Sequence, residues 1–160
     1  MGSMQEFIPD AKMFCEISHD EQERLKKVHR KTLVKMWLFD MMINNFDRGG
    51  ANWLISEDTI HAIDHSHSLR DDEYFGQDIT CYTVGGENFF DEEPLPEFIE
   101  SLGRFLATPE QQKILEDLLV ELFNKAFARK CIKRIKTVGS ILVRDGKISH
   151  NKYSSGIAVE

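Results

Sequence analysis

The sequence predicts a mainly α fold with a small β-hairpin, an α+β domain. Three observations carry this. Apolar residues recur at three- and four-residue steps over long stretches before residue 44 and after residue 96, which is helical spacing. Two short apolar runs, 51–55 and 59–63, flank the turn-like triplet Ser56-Glu57-Asp58, which is a hairpin pattern. The chain has 160 residues, 41% of them hydrophobic. That is one domain's worth, able to bury about two-thirds of its unfolded surface without a disulfide or metal staple.

Taken in order, residues 1–17 read as a tag remnant (Met1-Gly2-Ser3 before Met4) and an amino-terminal extension. Ser18-His19-Asp20-Glu21 forms a capping box and opens a helix. Leu25, Val28, Trp37, Leu38, Met41 and Met42 mark its apolar side and carry it to about Asn44, before Gly49-Gly50. The hairpin follows. Residues 64–93 keep no period and contain Gly76, Gly85 and Gly86, so they read as a long functional loop. Pro96 opens a helix through Leu106, and Thr108-Pro109-Glu110 opens another, with Thr as cap and Pro at the first helical position. Apolar spacing from Ile114 to Phe127 continues that helix, and a further one covers residues 128–144. Residues 18–144 are thus the domain, and 145–160 a polar, frayed tail.

Composition removes several classes of function. Net charge is −7, from 27 acidic and 20 basic residues. Duplex binding rests on neutralising phosphates with Lys and Arg, so this balance argues against nucleic acid as the partner. Cys15, Cys81 and Cys131 are odd in number, widely spaced and without a CxxC, which argues against a secreted disulfide framework and a cysteine-rich zinc site. No apolar run reaches membrane-spanning length and no signal-peptide core is present, so a cytoplasmic setting is expected.

The informative window is Asn44-Asn45-Phe46-Asp47-Arg48-Gly49-Gly50-Ala51-Asn52-Trp53-Leu54-Ile55, followed by Ile60-His61-Ala62-Ile63-Asp64-His65. Asp47 and Asn52 fall on the turn between helix and first strand, and Asp64 ends the second strand. A hairpin sets the start of one strand beside the end of the other, so Asn52 is expected to face Asp64, with Asp47 above them. Phosphoryl transfer uses such a set: one carboxylate orients the attacking hydroxyl, and an amide oxygen and a carboxylate hold Mg²⁺ or Mn²⁺ on the nucleotide phosphates.

These residues resemble a known pattern. D-R-x-x-x-N followed about a dozen residues later by I-D is similar to the catalytic loop and metal aspartate of the HipA-like and phosphatidylinositol 3-/4-kinase superfamily. Residues 45–55 are most similar to type II phosphatidylinositol 4-kinases, and Asp64-His65 to HipA-like proteins. The resemblance implies a protein-kinase-like carboxy-terminal lobe that uses ATP and Mg²⁺ (or Mn²⁺). It implies Asp47 and Arg48 as the catalytic pair, Asp47 as the catalytic aspartate and Arg48 bracing the loop through carboxylate contacts. Asn52 and Asp64 become the metal and cofactor-binding residues. The acceptor is a hydroxyl on a protein or a small molecule. The close match spans about 25 residues. Gly49 stands where many relatives have His, and no G-x-G-x-x-G or G-x-x-x-x-G-K-[ST] occurs. The chain therefore reads as one lobe, with an amino-terminal lobe expected upstream or on another chain, and as inactive in isolation. The alternative is a kinase-derived binding or interaction module.

Two other features have blander readings. His61, His65 and His67 with Asp64 invite a zinc site, but the order H-x-x-D-H-x-H fits no metallohydrolase pattern. The basic residues from Lys125 to Lys136 read as a solvated helical face; the alternative is contact with anionic lipid, nucleic acid or an acidic partner, against which the net charge of −7 weighs.

Overall fold

The structure, a computed structural model, describes residues 8–57, 59–65, 68 and 83–150. Its elements run β1 (Lys12–Met13), a 3-10 turn (Phe14–Glu16), α1 (His19–Val28), α2 (Arg30–Ile43), β2 (Trp53–Ser56) and β3 (Thr59–Ala62). Then come α3 (Pro96–Ala107), α4 (Pro109–Leu122) and α5 (Lys125–Asp145). The fold is mainly helical with one antiparallel sheet in the order β1-β2-β3, an α+β architecture. Among the described residues no helix is long and apolar enough to cross a membrane.

The segment Leu-Val-Lys-Met-Trp-Leu-Phe-Asp-Met-Met in α2 is apolar around most of its circumference. A helix of that kind belongs inside, and α2 is the central post of the core. Leu33, Val34, Trp37, Leu38 and Met41 are all buried. Around them gather Phe14, Trp53 of β2, Leu102 of α3, Val138, Ile141 and Leu142 of α5, and Phe89 from the segment before α3. Gly139 lets α5 approach α3 closely, since a Cβ there would lie 3.2 Å from Leu102 Cγ. A smaller cluster of Leu119, Phe127, Ala128, Cys131 and Ile132 joins α4 to α5.

The expected helix from Ser18 to Asn44 is two helices. Ser18 Oγ does accept from Glu21 N–H, at 3.4 Å, but the Glu21 carboxylate grips Arg24 instead of closing the box. The break falls at His29, with φ −100° and ψ 20°. No Gly or Pro marks it. It coincides with a tertiary clamp: Lys26 and Arg30, one on each helix, both hold Glu87, at 2.9 and 2.7 Å. Arg30 also binds Glu92 and lies 4.4 Å over the Phe89 ring. Residues 87–92 are thereby strapped to the first two helices.

The second helical boundary also moves. The stretch expected to be helical from Thr108 to Phe127 breaks at Phe123, and Asn124 restarts it by capping Phe127 N–H at 2.9 Å. So α5 begins at Lys125 rather than 128. Thr108 sits at the cap position of α4, yet its hydroxyl donates back to Arg104 C=O.

Both edges of the domain extend outward from 18–144. The supposed extension supplies β1, which pairs Lys12 with Ile55 and Met13 with Leu54. Phe14 stacks on Trp53 at 3.8 Å between ring centroids. At the other end Gly146, at φ +75°, closes α5, and Ile148 is wholly buried. The frayed-tail expectation fails for residues 145–150 because Ile148 fills the core. The rest of the tail, residues 1–7 and most of the loop with Asp71-Asp72-Glu73, Gly76 and Cys81 lie outside the described residues.

Removing the Phe14 ring (Phe14→Ala) is expected to cost about 3–5 kcal/mol in urea unfolding, the range for a buried aromatic. A mere extension would show no change. Partial burial pushes the Glu87 carboxyl up, but hydrogen bonds from Lys26 and Arg30 overcome this and hold it below its ordinary value. A depressed carboxyl stabilises the fold above its unfolded pKa, and that contribution is lost as pH falls through the folded value. Acid titration of unfolding should therefore be shallower for Glu87→Gln than for the unaltered chain.

Candidate functional site

The site grows from the end of α2. Asn44 adopts the left-handed conformation, φ +57°, a region asparagine tolerates, and its N–H returns to Asp40 C=O. Asn45 N–H reaches the same carbonyl at 2.8 Å. The chain then turns so that Arg48 folds back beneath its own loop. Its guanidinium meets Asp40 in a two-pronged ion pair, Nε to Oδ2 at 2.8 Å and Nη2 to Oδ1 at 2.7 Å. The two side chains are 0% and 2% exposed.

Arg48 has five N–H donors, and each is taken. Besides the two on Asp40, Nη1 donates to Asn52 C=O at 2.8 Å and to Ile63 C=O, and Nη2 meets His65 Nδ1 at 2.9 Å. The arrangement is what the burial of a guanidinium requires: a paired charge and no orphan donor. It also ties three segments together, namely α2, the start of β2 and the end of β3. Because Arg48 can only donate, His65 Nδ1 accepts, and the neutral ring carries its proton on Nε2. Desolvation, followed by the Arg48 charge, holds the His65 pKa below the ordinary histidine value, against smaller pulls from Asp40 and Asp64.

Of the residues singled out in the sequence, Arg48 braces the loop through a carboxylate, as expected. Its side chain is wholly enclosed by protein. Asp47 and Asp64 are exposed, and Asp64 is left-handed at φ +50°. Asn52 Nδ2 donates to Asp47 C=O at 2.6 Å, while Asn45 Oδ1 accepts from Asp47 N–H at 3.2 Å. Both peptide groups of Asp47 are thus held by asparagine side chains. The expected facing of Asn52 and Asp64 is offset by one residue. Trp53 pairs with Ala62, so Asn52 C=O accepts from Ile63 N–H at 3.0 Å and Asp64 comes next.

Sequence reasoning missed Asp40 and Asn45. The signal for Asp40 was present: a lone carboxylate between Trp37-Leu38-Phe39 and Met41-Met42, where a buried helix has no solvent to receive it. Asn45 donates its Nδ2 to Asp40 Oδ1 at 3.0 Å and completes the shell.

For a divalent cation, the donor chemistry fits Mg²⁺. With Nδ2 of Asn52 fixed on the Asp47 carbonyl, its amide oxygen would be the atom left to a cation, and Asp64 would add a carboxylate one residue past Asn52's backbone partner. Mg²⁺ commonly takes one or two protein oxygens and fills its shell with water and phosphate oxygens. Among the described residues no three His, Cys, Asp or Glu gather to hold a metal ion of any kind, and His61 bonds Ser56 at 3.0 Å. His67 and Cys81 lie outside the described residues; Cys15 is exposed and Cys131 buried.

No protein-family model matches the chain, and no curated protein matches it in sequence.

Truncating Asp40 to Ala is expected to destabilise the chain by about 3–5 kcal/mol, because Arg48 is left as an uncompensated buried charge. Replacing both partners by apolar residues, Asp40→Leu with Arg48→Met, should recover much of that loss in denaturant unfolding. A double-mutant cycle reads the coupling directly.

Proposed function

We propose that this chain is the carboxy-terminal catalytic lobe of an atypical phosphotransferase of the HipA-like and phosphatidylinositol 3-/4-kinase-like type. It would move the γ-phosphate of ATP to a hydroxyl acceptor on a protein or small molecule, in the cytoplasm. One observation supports this reading above the others. A fully satisfied, buried Arg48 fastens the Asp47–Asn52 loop to the strand end bearing Asp64, and leaves both aspartates exposed. Catalysis of this kind is mostly positioning and electrostatics, and this is a rigid base with carboxylates on its outer side.

In this reading Asp47 accepts a hydrogen bond from the attacking hydroxyl and takes its proton as the bond to the γ-phosphorus forms and the bond to the bridging oxygen breaks, ADP leaving with that oxygen. Its backbone is clamped on both sides by Asn45 and Asn52, which fixes where the carboxylate begins. Asn52 and Asp64 would hold Mg²⁺ (or Mn²⁺), which when bound neutralises phosphate charge. Arg48 stays beneath, keeping the loop and the hairpin mouth at fixed separation. The lobe that covers the nucleotide is proposed to come from an upstream segment or a second chain.

With that lobe present, Asp47→Asn and Asp64→Asn are each expected to lower Mg-ATP-dependent phosphotransfer by about a hundredfold or more, the range for lost acid–base or charge-stabilising groups. The melting temperature should hold, since asparagine tolerates the left-handed backbone at position 64. Unchanged turnover in either variant removes that residue from the site. Calorimetric titration of the present chain with Mg-ATP complements this: tight binding would show that the covering lobe is dispensable for nucleotide capture.

A further inference from the structure

Glu87 stands where three parts of the chain meet. Its carboxylate is shared between Lys26 of α1, at 2.9 Å, and Arg30 of α2, at 2.7 Å. Two residues earlier, Gly85 N–H donates to Arg48 C=O at 3.2 Å, so the same short segment touches the loop that carries Asp47. The two attachments lie side by side, since a Cβ on Gly85 would sit 3.8 Å from Lys26 Cε. Residues 84–87 form one closed turn: Val84 N–H donates to Glu87 C=O at 2.8 Å, and Glu87 N–H returns to Val84 C=O at 3.2 Å. A displacement of Glu87 is therefore passed to Gly85.

The joint between α1 and α2 is a single residue. His29 leaves the helical dihedrals, at φ −100° and ψ 20°, yet its N–H still reaches Leu25 C=O at 2.8 Å. Its C=O still receives Leu33 N–H at 3.0 Å. Among the described residues Nε2 of its ring is buried without a hydrogen-bond partner, so that atom does nothing to fix the joint. The clamp on Glu87 bridges it from outside.

We propose that Glu87 is a latch. While Lys26 and Arg30 hold it, the α1–α2 joint and the Arg48 loop are locked together, and its release loosens both while α3 to α5 stay folded. The loop has two supports of different kind. Beneath it the Asp40–Arg48 pair is enclosed, at 2% and 0% exposure, and opens only with the core. At its side the Glu87 and Arg30 side chains are 36% and 39% exposed, within reach of solvent and salt. Partly solvated ion pairs are weak, and segments that open below the global unfolding energy are drawn from such places. That the latch governs phosphotransfer rests on the reading above; the latch itself does not.

The test is hydrogen–deuterium exchange of the full chain, read peptide by peptide without nucleotide or acceptor. Failure of the latch and failure of the phosphotransfer reading are thereby seen separately. Glu87→Gln removes the charge and Glu87→Lys reverses it. Exchange at residues 26–33, 44–52 and 84–92 is expected to rise together, by about tenfold for the lysine variant and less for the glutamine one, as charge-assisted bonds are lost. Residues 96–145 should keep their protection. Arg24→Gln, which breaks the exposed pair with Glu21 on α1, should leave residues 44–52 unchanged. Raising salt on the unaltered chain gives a readout free of mutation, because screening reaches the solvated pairs and spares the enclosed one, and the same three segments should quicken. The proposal is overturned if residues 84–92 loosen while 44–52 keep their rate, or if exchange rises equally through α5. It is overturned as well if neither the substitutions nor salt moves residues 84–92.

Discussion

The candidate site depends on one buried ion pair. Asp40 is placed deep in the chain because α2 is the core's central helix, and nothing there but a cation with several donors can compensate it. Arg48 supplies that cation from a loop eight residues away. The requirement works in both directions. Asp40 needs Arg48 for charge, and Arg48 needs Asn52, Ile63 and His65 for its remaining donors. Local loop geometry thereby becomes a condition of folding. A loop that drifted would strand a charge inside the protein, and the cost of that exceeds what a surface loop can spend.

The surroundings extend this rigidity outward. Arg48 C=O accepts from Gly85 N–H at 3.2 Å, so the segment before α3 closes over the loop from the other side. Gly85 is left-handed there, and a Cβ would press to 3.2 Å from the Trp53 ring. Trp53 in turn lies under Phe14, and Gly50 C=O takes the Cys15 N–H at 3.1 Å. The result is a layered support, from core helix to guanidinium to loop. Asp47 and Asp64 lie on its exposed outer side. In the proposed phosphotransfer reading, such pre-set placement would leave little reorganisation for the reacting state.

What could be read in the sequence was what short-range chemistry decides. The hairpin follows from two apolar runs and a turn, and α3 from Pro96 and its period. The bracing role of Arg48 followed from its place beside Asp47 in the resembled loop. Its partner was harder, since a contact between Asp40 and Arg48 exists only once α2 is buried and the chain has turned back. The break at His29 was hidden for the same reason: it coincides with a clamp to Glu87, almost 60 residues away. Phe14 lies in a short mixed stretch too brief to show a period, and Ile148 is a single apolar residue among polar ones, so neither gives periodicity anything to count. The cap at Asn124 was a local signal, masked by an apolar period that continues across it. The hairpin register needed one residue of precision, finer than a turn of uncertain length allows.

The small hook at the end of α5 has a mechanical meaning. Gly146 ends the helix by returning its N–H to Leu142, and two residues later Ile148 is inserted in the core while its carbonyl accepts from Asp91 N–H. At the opposite end Asn124 pins the first turn, and midway Gly139 seats against Leu102. A helix held at both ends and notched in the middle resists sliding along its own axis by a turn. Its outer side is therefore held at one phase relative to the body, as a rail bolted at both ends.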